Sequence, residues 1–290
     1  MRIAVFDVGG TFIKHALMID DVMTSQDKVS TPCDTQKHFL ETIKSVLQEM
    51  GEVEGIAFSL PGVIDVERKY IHAGGSLTYN NHTDIHEWED YFQLPITVEN
   101  DARCAAIAEL ECGHMQGIQQ GLVLTFGTGV GGGIILNGEI YKGHHLIAGE
   151  VSVIYSKDPK QYQSKGLFGA IGSIYNLVDK IAKAKNSETH DGKEVFNWIG
   201  AGDKMSQQIF KDYCDEVVLE LHNIQCLLDP ERGGISENPL FIAGLQRASD
   251  EFYQRFPIAF PHAEIVKCQY CNDANMLGAY YHYKKTTMKV

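Results

Sequence analysis

The sequence predicts an alternating α/β fold made of two related halves. Helix-patterned and strand-patterned stretches take turns along the chain, and one unit, an apolar strand, a glycine turn and a second strand, occurs twice. The first copy is Arg2-Ile3-Ala4-Val5-Phe6, the turn Asp7-Val8-Gly9-Gly10-Thr11, and Phe12 to Ile19. The second lies about 120 residues later: Leu124-Thr125-Phe126, the glycine string from Gly127 to Gly133, and Ile134 to Leu136. Two such units at matching places read as an internal duplication in which each half offers one phosphate loop to a shared cleft.

The second copy contains G-x-G-x-x-G, which in dinucleotide-binding proteins ends a strand and opens a helix whose N-terminus faces pyrophosphate. No helix pattern follows Gly133. The chain reads IILNGEIYKG: an apolar run, then Asn137-Gly138, the dipeptide of a type I′ hairpin turn, then Glu139-Ile140-Tyr141. Glycine N–H groups in such a turn still form an anion-binding concavity, so the expectation is a phosphate held by a hairpin.

The other elements follow in order. Asp34 or Thr35 caps a helix through HFLETIKSVLQEM that stops at Gly51. Gly55 to Leu60 reads as a buried strand ended by Pro61-Gly62. The strand Pro95 to Val98 leads through Glu99-Asn100-Asp101 into an alanine-rich helix from Ala102 to Cys112, halted at Gly113. The polar stretch Ser156 to Ser164 reads as an exposed loop. Phe210, Cys214, Val217, Leu221, Ile224 and Leu228 recur in steps of four and three, one apolar stripe on a helix ending at Asp229-Pro230. Leu240 to Gly244 reads as a strand, and a last helix begins near Asp273.

Composition narrows the function. A chain of 290 residues, 44% hydrophobic and 22% charged, is long enough for two domains with sizeable cores. It contains no apolar run of membrane-spanning length and no basic-then-apolar leader, so the expectation is a soluble, cytoplasmic protein with no membrane partner. A formal charge of −13 argues against nucleic acid as a partner, because that binding draws on Lys and Arg. The concentrated basic stretch, Lys284 to Lys289, reads as a solvated terminus. Seven scattered cysteines make no disulfide framework, and Cys268-Gln269-Tyr270-Cys271 lacks the second ligand pair of a zinc site.

DVGGT at Asp7, SLPG at Ser59 to Gly62, ENDA at Glu99 to Ala102, GTGVGGG at Gly127 to Gly133 and AGE at Ala148 to Glu150 form an ordered set. In that order and spacing it resembles the ROK family of sugar kinases and related repressors, strongly to about residue 153 and more weakly beyond. The resemblance implies an actin-like ATPase (ribonuclease H-like) fold, two α/β domains closing over ATP and sugar. Residues 1–115 with 273–290 would form the sugar and Mg-ATP phosphate side. Residues 116–272 would form the nucleotide side and the contact of a homodimer. A repressor would need a DNA-binding domain before the kinase-like part, and Asp7 already lies in the first turn.

A sugar kinase must align ATP with the acceptor hydroxyl and take a proton as the new P–O bond forms. Asp101, at a strand-to-helix junction, is the candidate base; it or Asn100 is equally placed to cap the helix, and the two roles are compatible. By resemblance Asp7 helps hold magnesium through water. Gly9, Gly10 and Thr11 would meet one end of the triphosphate, and Gly127, Thr128, Gly129, Gly131 and Gly132 the other. The family places a lysine after the threonine; here Phe12 stands there, and Lys14, on the same strand face, is the substitute. Gly244 falls where the family has a glycine run beside the nucleotide. Gly62, Asn100, Asp101 and Glu150 match its sugar contacts, and adjacent His144-His145 stands close to Glu150 in the chain.

The departures carry information. Three residues after Glu150 the family has a histidine that touches sugar and zinc, and this chain has Val153. Where a cysteine cluster belongs, the chain reads KGLFGAIGS, with Gly169 at the place of a sugar-binding glutamate, so no zinc is expected. Ser76 replaces an asparagine. Loss of two side chains near the anomeric carbon would widen the pocket for a substituent on O1. The pattern resembles the β-glucoside kinases of the family, so the expected reaction is ATP-dependent phosphorylation of the 6-hydroxyl of cellobiose or gentiobiose. Glucokinase or N-acetylmannosamine kinase activity is the alternative, and a non-catalytic sugar sensor is the rival class.

Overall fold

The structure, a computed structural model, describes residues 1–236 and 238–288. The chain opens with strands β1 (Arg2–Val8), β2 (Phe12–Ile19) and β3 (Val22–Ser30), helix α1 (Gln36–Met50), and strands β4 (Gly55–Leu60), β5 (Val63–Asp65), β6 (Tyr70–Ala73) and β7 (Thr83–Asp84). Helix α2 (Ile85–Phe92), strand β8 (Ile96–Asn100) and helix α3 (Asp101–Cys112) follow, then strands β9 (Gln120–Phe126), β10 (Val130–Leu136) and β11 (Glu139–Tyr141). Helices α4 (Pro159–Tyr162), α5 (Phe168–Ile171), α6 (Ile174–Ala184), α7 (Gly192–Gly200) and α8 (Lys204–Leu228) precede strand β12 (Arg232–Ser236). The chain ends with helix α9 (Pro239–Arg255), strand β13 (Glu264–Lys267) and helix α10 (Ala274–Thr287).

Contacts divide the chain into two compact units. Residues 1–112, 142–148 and 272–290 form one, and residues 113–141 and 149–271 the other. The first has a sheet in the order β3-β2-β1-β4-β8, with β1, β4 and β8 parallel and β2 and β3 antiparallel. The second has the order β11-β10-β9-β12-β13, with β9, β12 and β13 parallel and the hairpin strands antiparallel. Each sheet is therefore a hairpin meander continued by two parallel strands, the topological form of the duplication read from the twin glycine turns.

Strand alternation sorts the first unit's core into two layers. Ala4, Phe6 and Val8 pack with Phe39, Ile43 and Val46 of α1 and Trp88 of α2. Ile3 and Val5 face the other way, onto Cys104 of α3 and Met276, Ala279 and Tyr280 of α10. Asp7, two residues beyond Val5, shares that second face.

Local signals explain most boundaries. Thr35 caps α1 by accepting from the His38 N–H at 3.2 Å, and Gly51 ends it at φ 77°. Asn137 and Gly138, at φ 55° and 73°, make the type I′ turn between β10 and β11. Asp229 ends α8 in the left-handed region, at φ 43°. The exposed stretch Ser156 to Ser164 contains α4, one turn opened by Asp158 and Pro159. Lys284 and Lys285 lie in the last turn of α10, and Lys289 falls outside the described residues.

One assignment needs correction. Leu240 to Gly244 is helical, the second to sixth residue of α9, and not a strand. Asn238 caps that helix by accepting from the Phe241 N–H at 2.9 Å, and Pro239 takes the first helical position, where its missing N–H costs nothing. The strand beside β9 is instead Arg232–Ser236, despite its two glycines.

Candidate active site

Three parallel strands of the first unit end in polar residues at one register line. Asp7 stands opposite Ser59, and Ser59 opposite Glu99, so strand alternation sends all three side chains to the α3 and α10 face. Carboxyl ends of parallel strands are where open α/β sheets gather ligand-contacting groups. Asp7 is buried and fixed: its Oδ1 accepts from Ser59 Oγ at 3.1 Å and from Asn275 Nδ2 at 2.9 Å. The Lys14 ammonium lies 3.6 Å from Oδ2 and also donates to the Asn272 carbonyl at 3.3 Å. Lys14 is thus directed at Asp7, its cross-strand partner.

Phe12, at the family's lysine position, is 42% exposed, and the Lys28 ammonium sits 4.4 Å from its ring centroid. The turn from β1 to β2 is closed by Gly9 N–H donating to Phe12 O at 3.0 Å and braced by Thr31 Oγ1 on Gly9 O at 2.6 Å. Gly9, Gly10 and Thr11 stay exposed.

Asn100 and Asp101 sit where β8 becomes α3. The Asn100 carboxamide divides its two ends: Oδ1 caps α3 by accepting from Arg103 N–H at 3.2 Å, and Nδ2 donates to Gly62 O at 3.1 Å. Asp101 is the first helical residue, half-buried, and its Oδ1 accepts from Ala102 N–H at 2.8 Å. The cap of α3 and the candidate base are therefore neighbouring residues. Cys104 lies below them, fully buried, and burial with the nearby carboxylates of Glu99, Asp7 and Asp101 holds its thiol well above the ordinary range.

In the second unit the turn between β9 and β10 is Gly127-Thr128-Gly129, closed by Gly127 N–H on Gly129 O at 2.9 Å. Gly127 O in turn accepts from Tyr175 N–H at 3.3 Å and Ser173 Oγ at 3.4 Å, at the start of α6. A Cβ at Gly127 would meet nothing in the chain within 4 Å, and its backbone is not left-handed, so neither packing nor strain requires glycine there. Close approach of a group from outside the chain would require it.

Gly131 and Gly132, expected in this turn, belong to β10. Their alternative explanation is visible at Gly132, where a Cβ would stand 2.5 Å from Gly149 O, while one at Gly149 would stand 2.6 Å from Gly132 O. The two backbones touch, and this contact sets the chain just before Glu150. Glu150 is half-buried and opens the 3-10 turn Val151–Val153.

The departures from the family pattern have structural consequences. Val153 is 63% exposed, so the missing histidine leaves open surface. Gly169 does not: a Cβ there would lie 1.9 Å from Ser152 Oγ and 2.9 Å from Ser152 O, so the space of a glutamate is already filled. Any widening of the pocket rests on position 153. Ser76 Oγ comes within 3.6 Å of a Cβ placed on Gly10. His144 and His145 are both exposed, with ring centroids 4.7 Å apart.

Gly244 lies in α9. A Cβ there would stand 2.6 Å from the Phe210 ring, so the glycine lets α9 close on α8. It also lines a cavity of about 570 Å³ with Lys204, Gln207, Lys211 and Arg247. No disulfide joins any of the seven cysteines among the described residues, and none of the described helices is long and apolar enough to cross a membrane.

The ROK family pattern matches residues 3–286. The chain belongs to the ROK family. A beta-glucoside kinase of Listeria monocytogenes is 32% identical over 98% of this chain and 97% of its own length. A ROK family protein from Streptococcus pneumoniae, solved in complex with sucrose, superposes with a TM-score of 0.87 at 28% identity, covering 100% of both chains. A ROK family glucokinase from Streptomyces griseus, solved with glucose and AMPPNP, gives 0.82 at 24% identity, covering 96% and 98%. The fold is the actin-like ATPase fold expected from the ordered motifs.

Sequence reasoning missed Ser59 as a partner of Asp7, and it missed Asn275, Arg103 and Lys142 altogether. Ser59 was legible within the SLPG motif. Asn275 meets Asp7 only through the docking of α10, which no local pattern encodes.

Proposed function

We propose that this ROK sugar kinase transfers the γ-phosphoryl group of ATP to the 6-hydroxyl of a glucose-type sugar, with β-glucosides such as cellobiose or gentiobiose preferred. The observation that carries the reading is the register line Asp7, Ser59, Glu99 with the Asn100-capped Asp101 at its end. Asp101 is assigned as the base that takes the hydroxyl proton. Asn100, Gly62 and Glu150 are assigned to the ring hydroxyls, where an unpaired buried partner would cost about 1–3 kcal/mol.

Asp7 suits a hydrated magnesium ion. Ser59 and Asn275 use Oδ1 and leave Oδ2 facing Lys14, a polar setting in which one carboxylate can hold the water shell of the ion. Bound Mg²⁺ would neutralise phosphate charge; the chain's own part is to fix that carboxylate. Gly9, Gly10, Thr11 and Lys14 are assigned to the triphosphate, as are Gly127, Thr128 and Gly129, with Gly131 and Gly132 adding no side chain at those positions of β10. The cavity beside Gly244 is assigned to the adenosine end.

The beta-glucoside kinase relatives and the exposed Val153 support the glucoside preference. Glucokinase activity is the second reading, favoured by the filled space at Gly169. A homodimer and a cytoplasmic site of action belong to the same proposal. The test is a phosphorylation screen with Mg-ATP over glucose, mannose, N-acetylmannosamine, cellobiose and gentiobiose. A higher kcat/KM for cellobiose or gentiobiose than for glucose is expected; strong preference for a free monosaccharide overturns the glucoside assignment, and no ATP-dependent product overturns the kinase reading.

A further inference from the structure

A buried ion triad lies directly behind the candidate base. Glu99 is fully buried and immediately precedes Asn100-Asp101. Its Oε1 accepts from Asn100 N–H at 2.9 Å, and Arg103 Nη1 lies 3.7 Å from the same oxygen. The Lys142 ammonium lies 2.6 Å from Oε2, off the hydrogen-bonding angle, so this contact acts through charge. A buried carboxylate in such a place needs its cations, because burial penalises an unpaired charge heavily.

Both cations reach one short segment. Lys142 begins residues 142–148, an arm that clusters with the first unit although the chain on either side belongs to the second. Arg103, 1% exposed, donates from Nη2 to Leu146 O at 2.5 Å and faces Ala148 O at 3.5 Å. The arm closes on itself through Ala148 N–H on Lys142 O at 3.1 Å. Leu146 sits at φ 62°, a left-handed conformation that a leucine keeps only where its surroundings hold it. Two residues past Ala148 the chain reaches Glu150.

We propose that Glu99, Arg103 and Lys142 are positioning residues for the sugar. Glu99 sets the Asn100 backbone, and through Lys142 and Arg103 it pins the strained arm that leads to Glu150. The inference rests on the assignment of Asn100 and Glu150 to the sugar. None of the triad's hydrogen bonds or ion pairs among the described residues goes to Gly9–Thr11 or Gly127–Gly129, so the nucleotide side is untouched.

Lys142 is the member to remove, because it is 25% exposed and its loss leaves Arg103 beside Glu99. In Lys142→Met the sugar KM rises at least tenfold and the ATP KM stays within twofold of wild type, and Lys142→Arg returns the sugar KM to within threefold. Hydrogen exchange of residues 142–148 rises at least tenfold in Lys142→Met while α1 is unchanged, a readout that needs no activity. A sugar KM within twofold of wild type, equal rises in both KM values, or unchanged exchange in the arm overturns the triad. A wild-type chain that phosphorylates no sugar instead defeats the kinase reading and with it the sugar-positioning role, and the exchange measurement then decides only whether the triad pins the arm.

Discussion

Gly127→Ala separates a ligand-imposed glycine from a structural one. The added methyl meets no atom of the chain within 4 Å and imposes no left-handed strain. Its effect on the folded chain is therefore small, and loss of unfolded-state freedom should stabilise by about 0.4–1 kcal/mol. Against a phosphate oxygen packed onto the turn, the same methyl displaces a charge-assisted hydrogen bond worth roughly 1.5–3 kcal/mol, or about 10- to 150-fold in affinity. The assay is steady-state kinetics with ATP and sugar each varied at saturating concentrations of the other, with a thermal melt of the same preparation. The expected result is an ATP KM raised at least tenfold, an unchanged sugar KM and a Tm no lower than wild type. Gly132→Ala is the contrast, since its methyl would strike the Gly149 carbonyl at 2.5 Å and lower the Tm. An ATP KM for Gly127→Ala equal to wild type would refute the reasoning.

Other expectations follow from the same contacts. Asp7→Asn keeps an oxygen for Ser59 but loses the charge, so the Mg²⁺ concentration giving half the maximal rate rises at least tenfold while the Tm moves little; an unshifted Mg²⁺ titration counts against the assignment. Gly169→Glu forces a side chain into Ser152 and should cost about 1–3 kcal/mol, visible as a lower midpoint in urea. Burial depresses the His282 pKa from 6.5 to about 4, with Glu99 opposing and Lys142 and Lys285 assisting, and burial lowers that of His15 as well. Between these values the unfolded chain binds more protons than the folded one, so this stability is fully present above about pH 6.5 and is lost as pH falls towards 4. Tm measured against pH should show that slope, and His282→Asn should flatten part of it.

How far the sequence reveals the fold depends on how local each determinant is. Helix α1 is legible because Thr35 and Gly51 mark its ends within one amphipathic stretch, and α8 because its stripe runs through many turns. The run LFIAG misleads because a short apolar run has the same pattern in a buried strand and a buried helix. The cap Asn238-Pro239 in front of it is the signal that decides. At the site, Asp7, Asn100 and Asp101 stand out through their motifs. Their partners do not: Asn275 is 268 positions from Asp7, and Lys142 reaches Glu99 through an arm that folds back onto the first unit. Gly132 was legible as a glycine but not as the seat of Gly149, since both belong to one backbone contact between separated segments.

The central claim is tested most directly at Asp101. Asp101→Asn keeps an oxygen for the Ala102 N–H and replaces the carboxylate that could take a proton with a neutral amide that cannot. With Mg-ATP and the best sugar of the screen, the account predicts that kcat falls by roughly 10²- to 10⁴-fold, far more than any change in sugar KM, while the fold is kept. A variant that phosphorylates at the wild-type rate would contradict it.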